Sequence, residues 1–384
     1  MTRGLPNGLP IPSAPGASRR PWLSLNATKI VRGSVFLWNR VRPDKVFLFI
    51  VSLFLFVQSI ALMKEGARPL VSLVRGGFAA ADLSYFLGLG WLSAYIIMSG
   101  SPVAAIALTF FDAGMIDELG AFAAITGSRL GASFVVLFVG FIYVLRGRNR
   151  ATNLSMGLLS LTVTGMNSLA GFIVGIGLLK TGVLDRVQFR LNNSTYSVID
   201  RIFSPLINAL ARSLPSWALF PIGLGIVMVS FSLFDRCLPQ VALKESQMGR
   251  MSRLIYRPWV MFLLGGAITL ISMSVSVSLG ILVPLGNRGF VRRENVIPYI
   301  MGANITTFVD TLLVAVLLGN SLAFTIVLAG MISIALVSGV VLVAFYRRYR
   351  RAILAFVSWV TATNRNLALF MFFIFIIPIL LMVL

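Results

Sequence analysis

The 384-residue chain contains no histidine and a single cysteine, and its 12 carboxylates face 33 lysines and arginines. Each shortage removes a class of chemistry. One thiol excludes an internal disulfide and any cysteine cluster for metal, and the neighbours of Cys237 give no reason to read it as a nucleophile. The carboxylates are not clustered, there is no phosphate-binding glycine loop, and no serine has an evident base. Hydrolysis and metal catalysis therefore lack their parts, and the chain reads as a non-enzyme without a cofactor. Charge is scarce as well: 12% of residues are charged and 58% are hydrophobic, more apolar surface than a soluble core can hide.

What is present are apolar runs of membrane-spanning length. Roughly 20 apolar residues are needed to cross the hydrocarbon as a helix, and windows at 46–63, 154–179, 216–234, 321–345 and 367–384 meet that need. No alternating strand pattern appears, so these windows predict helices. The first 45 residues are rich in Pro, Gly and Ser and carry eight Lys/Arg, which predicts a disordered basic arm with no cleavable signal peptide. Residues 46–384 form the transmembrane part. The net charge of +21 is spread between spans, which argues for membrane topology and against nucleic acid as a partner.

An internal repeat organises the transmembrane part. At an offset of 175 positions Gly90 falls on Gly265, Met98 on Met273, Ser99 on Ser274, Ser101 on Ser276, Gly114 on Gly289 and Gly127 on Gly302, without a gap. Each copy suits a re-entrant hairpin, with its tip at 98–102 in the first copy, followed by one span broken near 127–131. The first copy covers about 84–145 and the second about 259–320. Linking helices lie at 154–234, with an amphipathic stretch at 199–214, and C-terminal helices at 321–384. An even number of crossings between copies that each cross an odd number of times makes the copies inverted.

Lys and Arg test that topology. With the amino terminus in the cytoplasm, cytoplasmic segments collect 24 of the 33 Lys/Arg and outside segments eight, as the positive-inside rule expects. Equivalent hairpin turns also differ in sign, acidic at 112–118 and basic at 287–294. The fold class expected is thus an all-α polytopic membrane protein of two inverted-topology repeats, each a re-entrant hairpin plus a broken transmembrane helix, in the plasma (inner) membrane. Such repeats place substrate and ion sites near the midplane. At Met98-Ser-Gly-Ser-Pro and Met273-Ser-Val-Ser-Val hydroxyl oxygens can face a small ion. At Gly127-Ser-Arg and Gly302-Ala-Asn-Ile-Thr-Thr an unwound helix would present amides and hydroxyls to an anion. Ser, Thr and Gly also serve tight helix packing in membranes, the plainer reading of any one of them.

These motifs and their spacing resemble the sodium/phosphate cotransporter family, in which each copy carries Gln-Ser-Ser-Ser followed about 29 residues on by Gly-Ala-Asn-Ile-Gly-Thr-Thr. The likeness covers 90–133 and 265–307 closely. It implies Na⁺-coupled secondary transport of a small anion, inorganic phosphate, with Ser99, Ser101, Ser274, Ser276, Asn304, Thr306 and Thr307 forming the ion and phosphate sites; H⁺ is the alternative coupling ion that the residues themselves leave open. The chain departs from the family at Met98 and Met273 in place of both Gln, at Gly100 and Val275 in place of the middle serines, and at Arg129 in place of the first Asn. A thioether cannot replace an amide that both donates and accepts hydrogen bonds.

Arg129 and Asp310 are the ionisable residues that fall well inside spans, where an isolated charge costs on the order of 3 kcal/mol or more. Either Arg129 binds an oxyanion while Asp310 attracts a cation or carries a proton, or the two pair with each other and fill the site. The alternative function follows from the second case: a non-transporting membrane protein with a decayed site, acting as an assembly partner or sensor. A closed pair without a cavity would favour decay, and a polar cavity lined by Ser99, Ser101, Ser274, Ser276 and Asn304 would favour transport. The arginines at 146–150 and 346–351 read as topology anchors on the cytoplasmic face of the lipid bilayer.

Overall fold

The computed structural model describes residues 43–78, 81–145, 150–187, 193–237, 257–274, 278–279 and 293–384. The chain divides into a first unit, Met1–Val46, and a second, Phe47–Leu384. Most of the expected basic arm lies outside the described residues. Among those residues the regular secondary structure is helical throughout. In chain order the helices are α1 (Pro43–Phe78), α2 (Leu83–Ile97), α3 (Ser101–Asp112), α4 (Glu118–Leu145), α5 (Arg150–Lys180), α6 (Asn193–Ser213), α7 (Leu219–Cys237), α8 (Pro258–Ser272), α9 (Arg293–Thr306), α10 (Phe308–Leu318), α11 (Ser321–Val340), α12 (Tyr346–Ala362) and α13 (Asn364–Val383).

Seven described helical segments are long and apolar enough to cross a membrane: Pro43–Val71, Glu118–Phe138, Leu154–Lys180, Ser216–Cys237, Arg293–Leu318, Ser321–Ala362 and Asn364–Val383. Helices α2, α3 and α8 are apolar but shorter. The surface agrees with a membrane-embedded protein: Ile96, Ile173, Val343 and Phe372 are exposed, while Arg129, Asn167, Asn304 and Asp310 are buried. A soluble protein distributes these residue types the other way round. The span expected at 46–63 continues in α1 through Lys64 and Arg68 to Phe78, and the span expected at 321–345 runs through a π-helical turn, Val341–Phe345, into α12.

The 175-residue offset reappears in the packing. Helices α2 and α8, 15 residues each, occupy equivalent positions. Both end on a methionine in the left-handed conformation, Met98 at φ 57° and Met273 at φ 48°. Side chains other than Asn, Asp and Gly are uncommon there, so the two copies share a local backbone solution as well as a residue. A Cβ added at Gly90 would lie 2.1 Å from the Ala124 carbonyl oxygen, and one at Gly265 would lie 2.0 Å from that of Tyr299. The same holds at Gly127 against Leu87 (2.1 Å) and at Gly302 against Phe262 (2.0 Å). All four contacts map onto one another at the same offset. They seat α2 on α4 and α8 on α9, backbone against backbone, as small residues allow in membrane helix pairs.

The expected break at 127–131 is therefore corrected. Helix α4 runs unbroken from Glu118 to Leu145, because Gly127 and Gly131 are used to admit α2 rather than to unwind the chain. In the second copy the interruption is a single residue, Thr307, between α9 and α10, and its φ of −62° and ψ of −21° remain helical. The second hairpin after Ser274 lies largely outside the described residues, as does the basic turn at 287–292.

Candidate functional site

Helices α3, α4, α5, α9 and α10 converge on Arg129. The residue stands 11 positions into α4, roughly 16 Å along its axis, and its side chain is 5% exposed. Its Nη2 pairs with Asp310 Oδ1 at 3.1 Å, and Asp310 is 1% exposed. Around this pair the polar atoms are interlocked. Arg129 Nη1 donates to Thr307 Oγ1 at 3.2 Å, and Nη2 also donates to Thr311 Oγ1. The Thr311 hydroxyl in turn donates to Asp310 Oδ1 at 2.8 Å, and the Ser101 hydroxyl, at the start of α3, donates to Asp310 Oδ2. The Phe308 ring lies under the guanidinium, 5.0 Å from centroid to Cζ. A charge pair this deep persists only when its remaining donors and lone pairs are met, and here most are.

Some buried polar atoms have no partner, among them atoms of Gln58, Ser160 and Thr162 away from the cavity described next. Arg129 Nε, Asn304 Nδ2 and the Ser168 hydroxyl are buried without a hydrogen-bond partner. All three residues line one small cavity together with Ala132, Thr164, Thr307 and Ile334. Its volume is about 10 Å³, room for a single water-sized occupant. Asn304 is held by its other amide atom, since the Thr164 hydroxyl donates to Asn304 Oδ1 at 3.2 Å. That bond turns Nδ2 into the free end. A cavity lined by arginine, asparagine, serine and threonine side chains is rich in donors and, at this size, suits a water as acceptor.

Of the residues singled out from the sequence, Ser101, Arg129, Asn304, Thr307 and Asp310 come together here. Ser99 lies in the turn after α2 and lines no part of this cavity. Ser274 follows the left-handed Met273 and is engaged elsewhere: its carbonyl accepts from the Ser272 hydroxyl at 3.1 Å and its side chain reaches Asp235. Thr306 donates to the Gly266 carbonyl oxygen at 2.9 Å, a bond that ties α9 to α8. Ser276 lies outside the described residues. The five-residue lining expected of a polar cavity is thus represented by Asn304 alone, and the cavity is built instead with α5.

Thr164, Ser168 and Thr311 were not singled out from the sequence. A signal did exist, because Thr164, Asn167 and Ser168 recur at i, i+3 and i+4 in α5, one face of a helix. Asn167 continues that face into a second polar contact, donating to Ser338 Oγ at 3.2 Å and accepting from the Tyr349 hydroxyl at 3.4 Å.

Two further polar clusters mark the ends of the bundle. At one, Lys64 Nζ pairs with Asp112 at 3.1 Å and donates to the Leu318 carbonyl oxygen at 2.7 Å, while Asn320 Nδ2 donates to Asp112 Oδ1 at 3.0 Å. At the other, Arg350 pairs with Glu294 at 3.3 Å and the Tyr346 hydroxyl donates to the Glu294 carbonyl oxygen at 3.2 Å. From Glu294 to Leu318 the helix axis extends about 36 Å, and Asp310 lies about 12 Å short of Leu318. The Arg129 site is therefore inside the bundle, between the two ends.

No protein-family model matches the chain, and no significant match was found among curated proteins or among solved structures.

Proposed function

We propose that the protein is a secondary transporter of a small anion and a divergent member of the sodium/phosphate cotransporter family, with phosphate as the first anion to test. The observation that carries this reading is the convergence of three unpartnered buried donors, Arg129 Nε, Asn304 Nδ2 and Ser168 Oγ, on one cavity in the bundle interior. Leaving such groups unmet costs about 1–3 kcal/mol each, and more for a charged one; Gln58, Ser160 and Thr162 also carry unmet atoms, but they do not share a cavity with a charged group.

The inverted arrangement of the two copies belongs to the same proposal and has independent support. Helix α4 starts beside the Asp112 turn and runs away from it. Its counterpart, α9 continuing into α10, ends at that same place, where the Leu318 carbonyl and Asn320 meet Lys64 and Asp112. Lys64, Asp112 and Asn320 fall on the outside in the topology that the Lys/Arg distribution favours, and Glu294 and Arg350 on the cytoplasmic side. The separation of the two clusters, about 36 Å, exceeds the roughly 30 Å of bilayer hydrocarbon. On this reading α2 and α3 form the re-entrant hairpin, the N-terminus is cytoplasmic and the membrane is the plasma (inner) membrane.

Two observations stand on the side of the non-transporting alternative: every oxygen of Asp310 and both Nη atoms of Arg129 are satisfied within the protein, and of the described residues expected to line a polar cavity Asn304 alone does so. Uptake of labelled phosphate, sulfate and chloride into proteoliposomes, under Na⁺ and K⁺ gradients, separates the two readings. Saturable uptake of at least one anion, abolished in Arg129→Gln, is expected. Wild-type vesicles indistinguishable from empty liposomes for every anion would leave the non-transporting reading.

A further inference from the structure

We propose that the groove between α4, α5 and α13 is a binding site for one anionic phospholipid, with an acyl chain lying in the groove and the headgroup at Arg365. This goes beyond the transport reading and does not depend on it. The groove has a volume of about 390 Å³, and every side chain that lines it is apolar. Phe134, Leu137 and Leu154 form a buried floor, and Phe138 and Phe141 stand exposed beside it. Leu367 and Met371 close it from α13. An apolar space does not hold ordered water, and close-packed proteins contain few voids of such size. In a bilayer the material at hand to fill it is an acyl chain.

The packing of α13 explains why the groove exists. This helix rests chiefly on α2 and α12. The Tyr95 hydroxyl of α2 donates to the Ile374 carbonyl oxygen at 3.0 Å, and a Cβ added at Gly88 would lie 2.5 Å from the Pro378 carbonyl oxygen. Against α4 it meets Phe134 through the Phe375 ring, 5.3 Å between centroids. Met371 and Leu367 lie about one and two turns before Phe375, and Phe138 and Phe141 about one and two turns after Phe134. The groove therefore runs from that ring contact toward the start of α13 and the end of α4. A lipid chain there would fasten the outermost helix to α4, which carries Arg129.

Charge at the mouth selects the headgroup. Arg365 is exposed and precedes Leu367 by two residues, and α5 begins at Arg150, one turn before Leu154. Neither α5 nor α13 contains an acidic residue, and Glu118 of α4 stands at the opposite end of that helix, about 35 Å from Phe141. The helices that form the groove thus leave its positive mouth uncompensated. Asn366 Nδ2 donates to the Trp359 carbonyl oxygen at 2.8 Å, which brings the end of α12 and the exposed Trp359 to the same place. Tryptophan gathers at the level of lipid headgroups. An arginine at that level, with an apolar trough leading inward from it, matches a phosphate with its acyl chain. A zwitterionic headgroup would add its own cation to this mouth, so a net anionic lipid is the better match.

The test uses full-length protein in proteoliposomes that contain phosphatidylglycerol or phosphatidylcholine with the same photoactivatable acyl chain, and cross-linked residues are mapped by mass spectrometry. Phe372 and Phe373, exposed on α13, report ordinary bilayer contact. Phosphatidylglycerol is expected to label Phe138, Phe141 and Met371 in excess of Phe372 and Phe373, and to be displaced by unlabelled phosphatidylglycerol more readily than by phosphatidylcholine. Arg365→Gln is expected to narrow that headgroup preference about fivefold, the contribution of one arginine near the membrane surface, and to leave labelling of Phe372 and Phe373 unchanged. Met371→Trp, which fills the groove, is expected to suppress labelling of Phe138 and Phe141 by either lipid. Because Arg365 is exposed, its replacement decides the matter even if Met371→Trp does not fold. Groove labelling no stronger than that of Phe372 and Phe373 would overturn the proposal, as would a headgroup preference that is absent or that Arg365→Gln leaves intact.

Discussion

If Gly127 is there to let α2 approach α4, replacing it with alanine should be costly even though alanine is the better helix former. The added Cβ would sit 2.1 Å from the Leu87 carbonyl oxygen and 2.8 Å from the Trp91 amide nitrogen, where ordinary contact begins at 3.4 Å. Both obstacles are backbone, so no side chain can swing aside. The helices must separate along their shared face, which includes Gly90 and Gly131, and overpacking of this kind costs typically 1–3 kcal/mol. Against that stands a propensity gain of about 1 kcal/mol for Gly→Ala inside a helix. Gly165 in α5 isolates that gain, because nothing lies within 4 Å of its added Cβ. Reversible unfolding in mixed micelles, followed by tryptophan fluorescence, should show Gly127→Ala less stable than wild type and Gly165→Ala equal to or more stable than it. Gly302→Ala, 2.0 Å from the Phe262 carbonyl oxygen, should behave like Gly127→Ala. Equal stability for Gly127→Ala and Gly165→Ala would refute the packing role and reopen the reading of 127–131 as a helix break.

The buried ion pair gives a second measurement. Arg129→Met or Asp310→Leu alone should cost about 3–5 kcal/mol by stranding the other charge, while the double replacement should recover most of that loss; additive losses in the same unfolding assay would count against the pair. Asn320 caps α11 by accepting from the Leu322 and Ala323 amides and also holds Asp112, so Asn320→Ala should lower stability by about 1 kcal/mol, and a change below 0.3 kcal/mol in that assay would speak against a structural cap. Thr306→Val removes the bond to the Gly266 carbonyl oxygen and should cost about 0.6 kcal/mol, the average for such interhelical bonds in membranes. Because Thr306 bonds α8 rather than the cavity, Thr306→Val should leave anion affinity unchanged, and a large loss of affinity would place it in the binding site instead.

The sequence made some of this legible and misdirected the rest for identifiable reasons. Composition and run length were enough for the apolar helices, because backbone in lipid has few other options. The offset of 175 finds the glycines that matter but not what they do. Glycine loosens a helix and also admits a neighbouring one, and only the carbonyl 2.0–2.1 Å from the missing Cβ tells the two apart. Arg129 and Asp310 stand out because charge within a span is rare, and their pairing is one of the two arrangements that rarity allows. Their partners did not stand out. Thr164 and Ser168 sit on α5, between the two copies, where comparing one copy with the other cannot reach. Ser274 and Thr306 were carried in by the motif, but equivalent positions in a repeat need not face the same site once the second copy is packed against different helices.

The most direct test of the central claim is to locate an anion. Crystals of the full-length protein grown with selenate, and separately with bromide, at pH 5 would carry an anomalous scatterer wherever the anion binds. The account predicts a peak within hydrogen-bonding distance of Arg129 Nε and Asn304 Nδ2, with the cavity enlarged beyond its present 10 Å³ and Asp310 moved away from Nη2. An unchanged Arg129–Asp310 pair with no peak beside it, for either anion at saturating concentration, would contradict it.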